Sequence, residues 1–310
     1  MRYLVTGGAG FIGSNTVDEL VRRGHSVTVL DDLSTGKEQN LAGVRDKIDF
    51  IRGTIADRAT IEKACRGADY VLHLAARTSV PRSVKQPQET NEINVDGTLI
   101  VLVAARDARV RRVVFASSSS IYGDTPTLPK HEEMTPAPIS PYGVTKLVGE
   151  LYGGVFHRIY GLDFVALRYF NVFGPRQDPG SPYSGVLSKF ITAMRDGGEP
   201  SVFGDGEQSR DFTFVQNVVT ANLQACETPG IGGRAFNLGT GRRYTLNYTL
   251  KLLEQFAGRT AKAKYSPPRE GDIRDSQADI CRASQAFGYK SQINFEEGLR
   301  KTWDWYSAQG

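Results

Sequence analysis

Apolar residues along the chain fall into short, nearly unbroken runs, separated by longer stretches with helical spacing. The runs are "RYLV", "SVTVL", "IDFI", "DYVLHLA", "RRVVFAS", "DFVALRY" and "AFNLG". Each has strand length, and the lack of alternation is what a sheet covered on both faces requires. Between the first two runs, residues 11–23 read as a helix with Ile12, Val17, Leu20 and Val21 turned inward. Alternating strand and helix units of this size predict an α/β fold: a doubly wound parallel (Rossmann) sheet with a smaller α/β substrate-binding region.

After Asn171 the pattern breaks into "VFGPRQDPGSPYSG", rich in Gly and Pro. Residues 1–171 are therefore expected to form the dinucleotide-binding domain, with a returning segment near 211–242, and residues 172–310 the substrate-binding domain. Two helical stretches, 94–107 and 142–160, carry apolar residues on more than one face. They are expected to pack on the sheet and on a second copy of the chain, which predicts a homodimer.

Composition narrows the class. The chain has 310 residues, 40% hydrophobic and 23% charged, with a net charge of +4, which suits one large domain or two interleaved ones. No block of Lys and Arg suggests a nucleic-acid or membrane surface, and no apolar run is long enough to span a bilayer. Cys65, Cys226 and Cys281 are scattered and match neither a disulfide framework nor a metal spacing. A reducing, cytoplasmic setting is the expectation, with no metal. His73 lies inside an apolar run and reads as a core histidine.

"VTGGAGFIG" sets Gly7, Gly10 and Gly13 directly after the first strand and at the start of the first helix. Glycine there allows a tight turn and close approach of backbone to a pyrophosphate, which the free N–H groups of the helix end can bind. Asp31 closes the second strand, where its carboxylate can accept from both hydroxyls of an adenosine ribose. No Arg is expected beside it to offset a further phosphate, so NAD is expected over NADP.

The stretch "ASSSSIYGDTPTLPKHEEMTPAPISPYGVTK" carries the chemistry. Ser140 and Pro141 read as an N-cap and first helical residue, which puts Tyr142 in the first turn and Lys146 on the same face. A free tyrosine has a pKa near ~10, too high for a base at neutral pH. A neighbouring ammonium and the positive helix end both favour phenolate, so Lys146 is expected to lower that pKa. The serines end a strand at the carboxyl edge of the sheet, where one can relay a proton. The prolines read as a stiff connection from strand edge to helix.

With these motifs the chain resembles the extended short-chain dehydrogenase/reductases, and among them the UDP-hexose 4-epimerases, from "VTGGAGFIGS" to "FEEGL". The resemblance implies C4 inversion of a UDP-hexose through a transient 4-keto intermediate with bound NAD. It implies Tyr142 as the base, Lys146 as its partner and Ser118 as the relaying serine. It also implies an NAD site formed by Phe11, Ile12, Asp31, Asp32, Leu33, Ser34, Thr35, Gly36, Thr54, Ile55, Leu74, Ala75, Ala76, Asn94 and Phe170. Thr54 stands where the family usually has an acid near adenine, which implies weaker adenine recognition. Thr78 stands where the galactose-type bacterial epimerases carry Lys.

For the UDP-sugar the same resemblance implies Ser79, Ser119, Asn171, Gly185, Val186, Phe203, Arg210, Arg269, Asp272 and Ser276. Arg210 and Arg269 would hold the diphosphate, Phe203 would pack near uracil and Asp272 would meet the uridine ribose. Ser276 stands where members restricted to non-acetylated sugars carry Tyr. That implies room for an N-acetyl group, hence UDP-GlcNAc/UDP-GalNAc, with UDP-Glc/UDP-Gal alongside. Rival readings are a UDP-glucuronate 4-epimerase or decarboxylase, a 4,6-dehydratase and a non-catalytic NAD-binding regulator. The dehydratase needs an Asp-Glu pair where Ser119 and Ser120 stand.

Overall fold

The computed structural model describes residues 1–180, 185–268 and 273–309. In chain order the first part holds β1 (Arg2–Thr6), α1 (Phe11–Arg22), β2 (Ser26–Asp31), β3 (Ile48–Arg52), α2 (Arg58–Cys65), β4 (Tyr70–His73), α3 (Val80–Lys85), α4 (Pro87–Asn91), α5 (Gly97–Asp107), β5 (Arg112–Ser118), α6 (Pro141–Tyr160) and β6 (Asp163–Tyr169). The remainder holds β7 (Val172–Phe173), α7 (Val186–Arg195), β8 (Ser201–Phe203), β9 (Ser209–Arg210), β10 (Thr213–Phe214), α8 (Val215–Glu227), β11 (Arg234–Leu238), β12 (Tyr244–Thr245), α9 (Leu246–Ala257), β13 (Lys264–Ser266), α10 (Cys281–Phe287) and α11 (Phe295–Ser307).

Among the described residues, seven parallel strands form the central sheet in the order β11-β6-β5-β4-β1-β2-β3. Successive strand residues point to opposite faces, and both faces are covered. Val5, Val29, Leu72 and Val114 pack on one side with Val17 and Leu20 of α1 and Val218 of α8. Their neighbours Leu4, Leu30, Val71 and Val113 pack on the other with α2, α5 and Phe156 of α6. That two-sided burial is the reason the strand runs are unbroken in apolar residues.

The chain order reverses about β1: β2 and β3 lie to one side, β4, β5 and β6 to the other. Ligands of such sheets bind at the carboxyl ends of the strands beside that reversal. A third apolar cluster joins α7, α9 and α11 with Phe173, Phe212 and Phe214. β11 returns to pair with β6. The expected boundary at residue 172 is crossed once more near the end: Ala283 and Phe287 of α10, with Tyr289, pack into the sheet core. Phe287 and Tyr289 find their apolar partners there, with Phe236 of β11 edge-on to Phe287 at 5.2 Å.

Candidate active site

The loop after β1 is built by glycine. Gly7 has φ +70, and a Cβ at Gly13 would lie 2.1 Å from the Gly7 carbonyl oxygen. Only a residue without a side chain lets α1 start this close to the strand. Gly10 caps α1 in extended backbone without a side-chain acceptor, and the first turn carries no acid. The N–H groups of that turn are thus placed to meet an anion.

One cavity of 910 Å³ runs past this loop. It is lined by Asp31, Asp32, Ser34, Thr35, Thr54 and Ile55, and by Gly7, Gly10, Phe11, Ile12 and Gly13. Leu74, Ala75, Ala76, Ser79, Ser118, Ser119, Tyr142, Lys146, Asn171 and Gly185 line the same cavity. The Asp31 carboxylate accepts from Ala9 N at 2.9 Å and Leu33 N at 2.8 Å. Burial pushes its pKa above the ordinary carboxylate value, and these two amides pull it back. Gly36 leaves room for this group, since a Cβ there would lie 2.9 Å from Asp31 Oδ1. Thr54 Oγ1 accepts from Ala56 N at 3.2 Å.

One sequence-based expectation is overturned here. An Arg does stand near Asp31: Arg77, from the loop after β4, comes within 3.5 Å of Asp32 and donates to Ser34 Oγ. Its charge acts on Asp31 as well. The sequence hid it because folding brings together positions more than forty residues apart.

Ser140 caps α6 by accepting from Gly143 N at 3.1 Å, and Pro141 opens the helix. Tyr142 is buried in the first turn, where its N–H donates to Ser83 Oγ at 3.1 Å. Lys146, one turn on, is buried and donates to Ala116 O at 2.7 Å. Its ammonium lies 5.8 Å from the centre of the Tyr142 ring and 4.8 Å from that of Phe115. Burial pushes the Tyr142 phenol up to about 12, with a hydrogen bond to Ser118 opposing. The expected lowering by Lys146 is therefore not seen: desolvation of the phenolate decides the direction. Burial also brings Lys146 down to about 7, with Glu150 opposing.

Ser118 closes β5, donates to Ser120 Oγ at 3.0 Å and accepts from Ser120 N at 3.1 Å. Ser117 points instead to Glu150. His73 is a core residue, bonded to Thr6 and Thr98 through its two nitrogens and held neutral by burial, which brings it down to about 3. The proline-rich connection is fastened at Lys130, whose N–H donates to Gln277 O and whose carbonyl accepts from Asp279 N, both at 2.8 Å.

Other expected residues lie around the cavity without lining it. Asn94 sits behind Arg77, accepting its N–H at 2.7 Å and donating to its carbonyl at 3.0 Å. Leu33 packs into the sheet core. Phe170 is fully buried against Tyr122, while its neighbours Tyr169 and Asn171 reach the cavity. Val186 begins α7 and packs with the third apolar cluster. Phe203 ends β8, and Arg210, in β9, donates to Arg274 O at 3.0 Å. Ser276 N donates to Ser209 O at 3.1 Å. Arg269 and Asp272 lie outside the described residues.

Sequence reading missed several lining residues besides Arg77. Arg176, Gln177 and Trp305 face the same cavity. Arg176 follows the Gly-Pro break and pairs with Asp18 of α1 at 2.6 Å, so a cation in that segment was a readable signal. Trp305 had none, since it arrives from α11 at the chain's far end. Among the described residues no helix is long and apolar enough to cross a membrane, and no cluster of ligating side chains could hold a metal ion.

Residues 3–239 match the family model described as "NAD dependent epimerase/dehydratase family". The chain is 40% identical to a UDP-glucose 4-epimerase of Mycolicibacterium smegmatis over 310 residues, 99% of this chain and 98% of the relative. Among solved structures it is similar to the UDP-glucose 4-epimerase of Thermotoga maritima with UDP-glucose, at TM-score 0.95 and 40% identity, covering 100% and 99% of the two chains. It is also similar to the UDP-N-acetylglucosamine 4-epimerase of Methanobrevibacter ruminantium in complex with UDP-N-acetylmuramic acid, at TM-score 0.96 and 41% identity, covering 100% and 99%.

Proposed function

The chain belongs to the NAD dependent epimerase/dehydratase family, and within it we propose that the protein is a UDP-hexose 4-epimerase acting through Tyr142, Ser118 and Lys146. One observation carries this reading: a single cavity joins the Gly7–Gly13 loop and Asp31 to Tyr142, Ser118 and Lys146 and continues to Asn171 and Gly185. A dinucleotide and a nucleotide sugar can therefore meet at the phenol.

The residues fit NAD. The first turn of α1 and the Gly loop offer N–H groups to the pyrophosphate, Asp31 offers its carboxylate to the adenosine ribose, and Lys146 stands where a ribose near Tyr142 would lie. Bound NAD supplies reversible hydride acceptance at C4, which leaves the epimerisation redox-neutral. Tyr142 removes the proton of the C4 hydroxyl and later returns it, directly or through Ser118. The ammonium of Lys146 stabilises the phenolate, the form in which Tyr142 takes up that proton and to which it reverts on returning it. The buried setting strengthens that attraction while raising the resting pKa of the phenol. By the family resemblance Arg210 and Arg269 would anchor the diphosphate, so that the sugar can turn over while the nucleotide stays fixed.

Within the class, we assign UDP-GlcNAc and UDP-GalNAc as substrates, with UDP-Glc and UDP-Gal also turned over. Gly185 on the cavity wall supports room for an acetamido group, and by the family resemblance so does the small Ser276, which does not itself line the cavity. Ser119 and Ser120 leave no carboxylate beside Ser118 for water elimination, which argues against a 4,6-dehydratase. The test is proton NMR of the anomeric signals of UDP-Glc, UDP-GlcNAc and UDP-glucuronate incubated with the protein and NAD. Conversion of UDP-Glc to UDP-Gal and of UDP-GlcNAc to UDP-GalNAc is expected, and Ser276→Tyr should abolish turnover of the acetylated pair alone. Turnover of UDP-glucuronate alone, or a 4-keto-6-deoxy product, would overturn the assignment.

A further inference from the structure

Arg77 follows β4, whereas Asp32 and Ser34 follow β2, and β1 lies between those two strands. The contacts of Arg77 with Asp32 and Ser34 therefore join the two rims on either side of the Gly7 loop. All three residues line the same cavity. The dinucleotide reading sets the adenosine end at Asp31, beside β2, and the other end at Tyr142, on the β5 side. A bound dinucleotide must pass the end of β1, beside this contact.

Arg77 is held for that position. Its side chain is only 15% exposed. The Asn94 amide grips its backbone from both sides, at 2.7 Å and 3.0 Å, and is itself tied to Thr145 of α6 at 3.0 Å. Glu89 accepts from the guanidinium at 3.3 Å and from Arg82 at 2.7 Å, which links the rim to α3 and α4. A flexible surface pair would have no such backing.

We propose that Arg77 is a strap residue that retains the cofactor: its contact with Asp32 and Ser34 parts to admit the dinucleotide and closes again across the cleft. The inference rests on the NAD reading of the cavity. Arg77 also offsets one of the two carboxylates, Asp31 and Asp32, that would otherwise repel a pyrophosphate approaching the cleft.

The test uses the full chain loaded with NADH, whose fluorescence is followed during a chase with excess NAD. Arg77→Gln and Asp32→Asn should each speed NADH release by about fivefold, the upper range for a partly exposed ion pair. The double variant should release no faster than the singles, because both remove one contact. The reversed pair, Arg77→Asp with Asp32→Arg, should recover slow release. If Arg77→Gln speeds release and Asp32→Asn does not, Arg77 contacts the cofactor directly and there is no strap. Unchanged release in both variants would also overturn it. Failure of the wild-type protein to take up NADH at all would overturn the NAD reading of the cavity, and the strap with it.

Discussion

Lys146 donates a 2.7 Å hydrogen bond to the carbonyl oxygen of Ala116. That bond ties the second turn of α6 to β5 two residues before Ser118. The helix carrying Tyr142 therefore keeps a fixed setting against the strand carrying the serines. Gly149 and Gly153 make the approach possible, since a Cβ at either would lie 2.4 Å or 2.1 Å from the rings of Phe115 and Phe164. Helix packing and the placement of the site are one arrangement here, and each prediction below perturbs a part of it.

Tyr142→Phe keeps the ring in its buried setting and removes only the hydroxyl. Turnover should fall by about a hundredfold or more, the usual contribution of a general acid–base group, with nucleotide-sugar binding nearly unchanged. Steady-state rates with calorimetric binding of the UDP-sugar check this. Full turnover in the variant would remove Tyr142 from the mechanism.

Lys146 gives a pH dependence with a definite sign. Its pKa falls from the usual lysine range to about 7 in the folded protein because burial disfavours the ammonium. Between pH ~7 and ~10.4 the unfolded chain binds the extra proton and the folded protein does not, so this group makes stability rise with pH. Below pH ~7 its burial penalty is complete. Lys146→Met removes the titration, so the variant's stability relative to wild type should be more favourable at pH 6 than at pH 9. Denaturant titrations of the cofactor-free proteins at the two pH values test it, and an equal difference at both would contradict it.

Glu150 and Arg168 form a buried ion pair at 2.7 Å, with side chains 8% and 6% exposed. Arg168 also donates to Tyr122 OH at 2.8 Å, and Tyr122 donates to Asn237 at 2.7 Å, which joins α6 to β11. Arg168→Met leaves the Glu150 charge without its partner and should cost about 3–5 kcal/mol of stability. Adding Glu150→Leu should recover most of that loss. Urea denaturation of the three variants measures it. A double variant as unstable as the single would show that the pair itself supplies the stability.

The outer face of α6 exposes Val144, Leu151 and Ile159, beside the half-buried Leu99, Ile100 and Val103 of α5. We propose that two copies bury these faces against each other as a four-helix contact. Sedimentation at micromolar concentration should give a dimer, and Leu151→Glu should shift it to monomer. Monomer alone in the wild type would overturn the assignment.

The sequence by itself determined the sheet, the Gly loop, Asp31 at a strand end and the Tyr142–Lys146 spacing. Those features rest on local physics: strand periodicity, helix capping, glycine's freedom at positive φ and the geometry of one helical turn. Only the tertiary structure decided what those residues meet. Arg77 reached the Asp31 rim because the sheet order sets β4 and β2 on either side of β1. Phe170 turned into the core while Tyr169 and Asn171 took the cavity, a matter of which side of the chain the packed layers cover. Trp305 came to the cavity from the last helix. The ionisation of Tyr142 and Lys146 moved opposite to a pairwise reading, because burial acts on each charge through all the surrounding atoms and no sequence spacing encodes it.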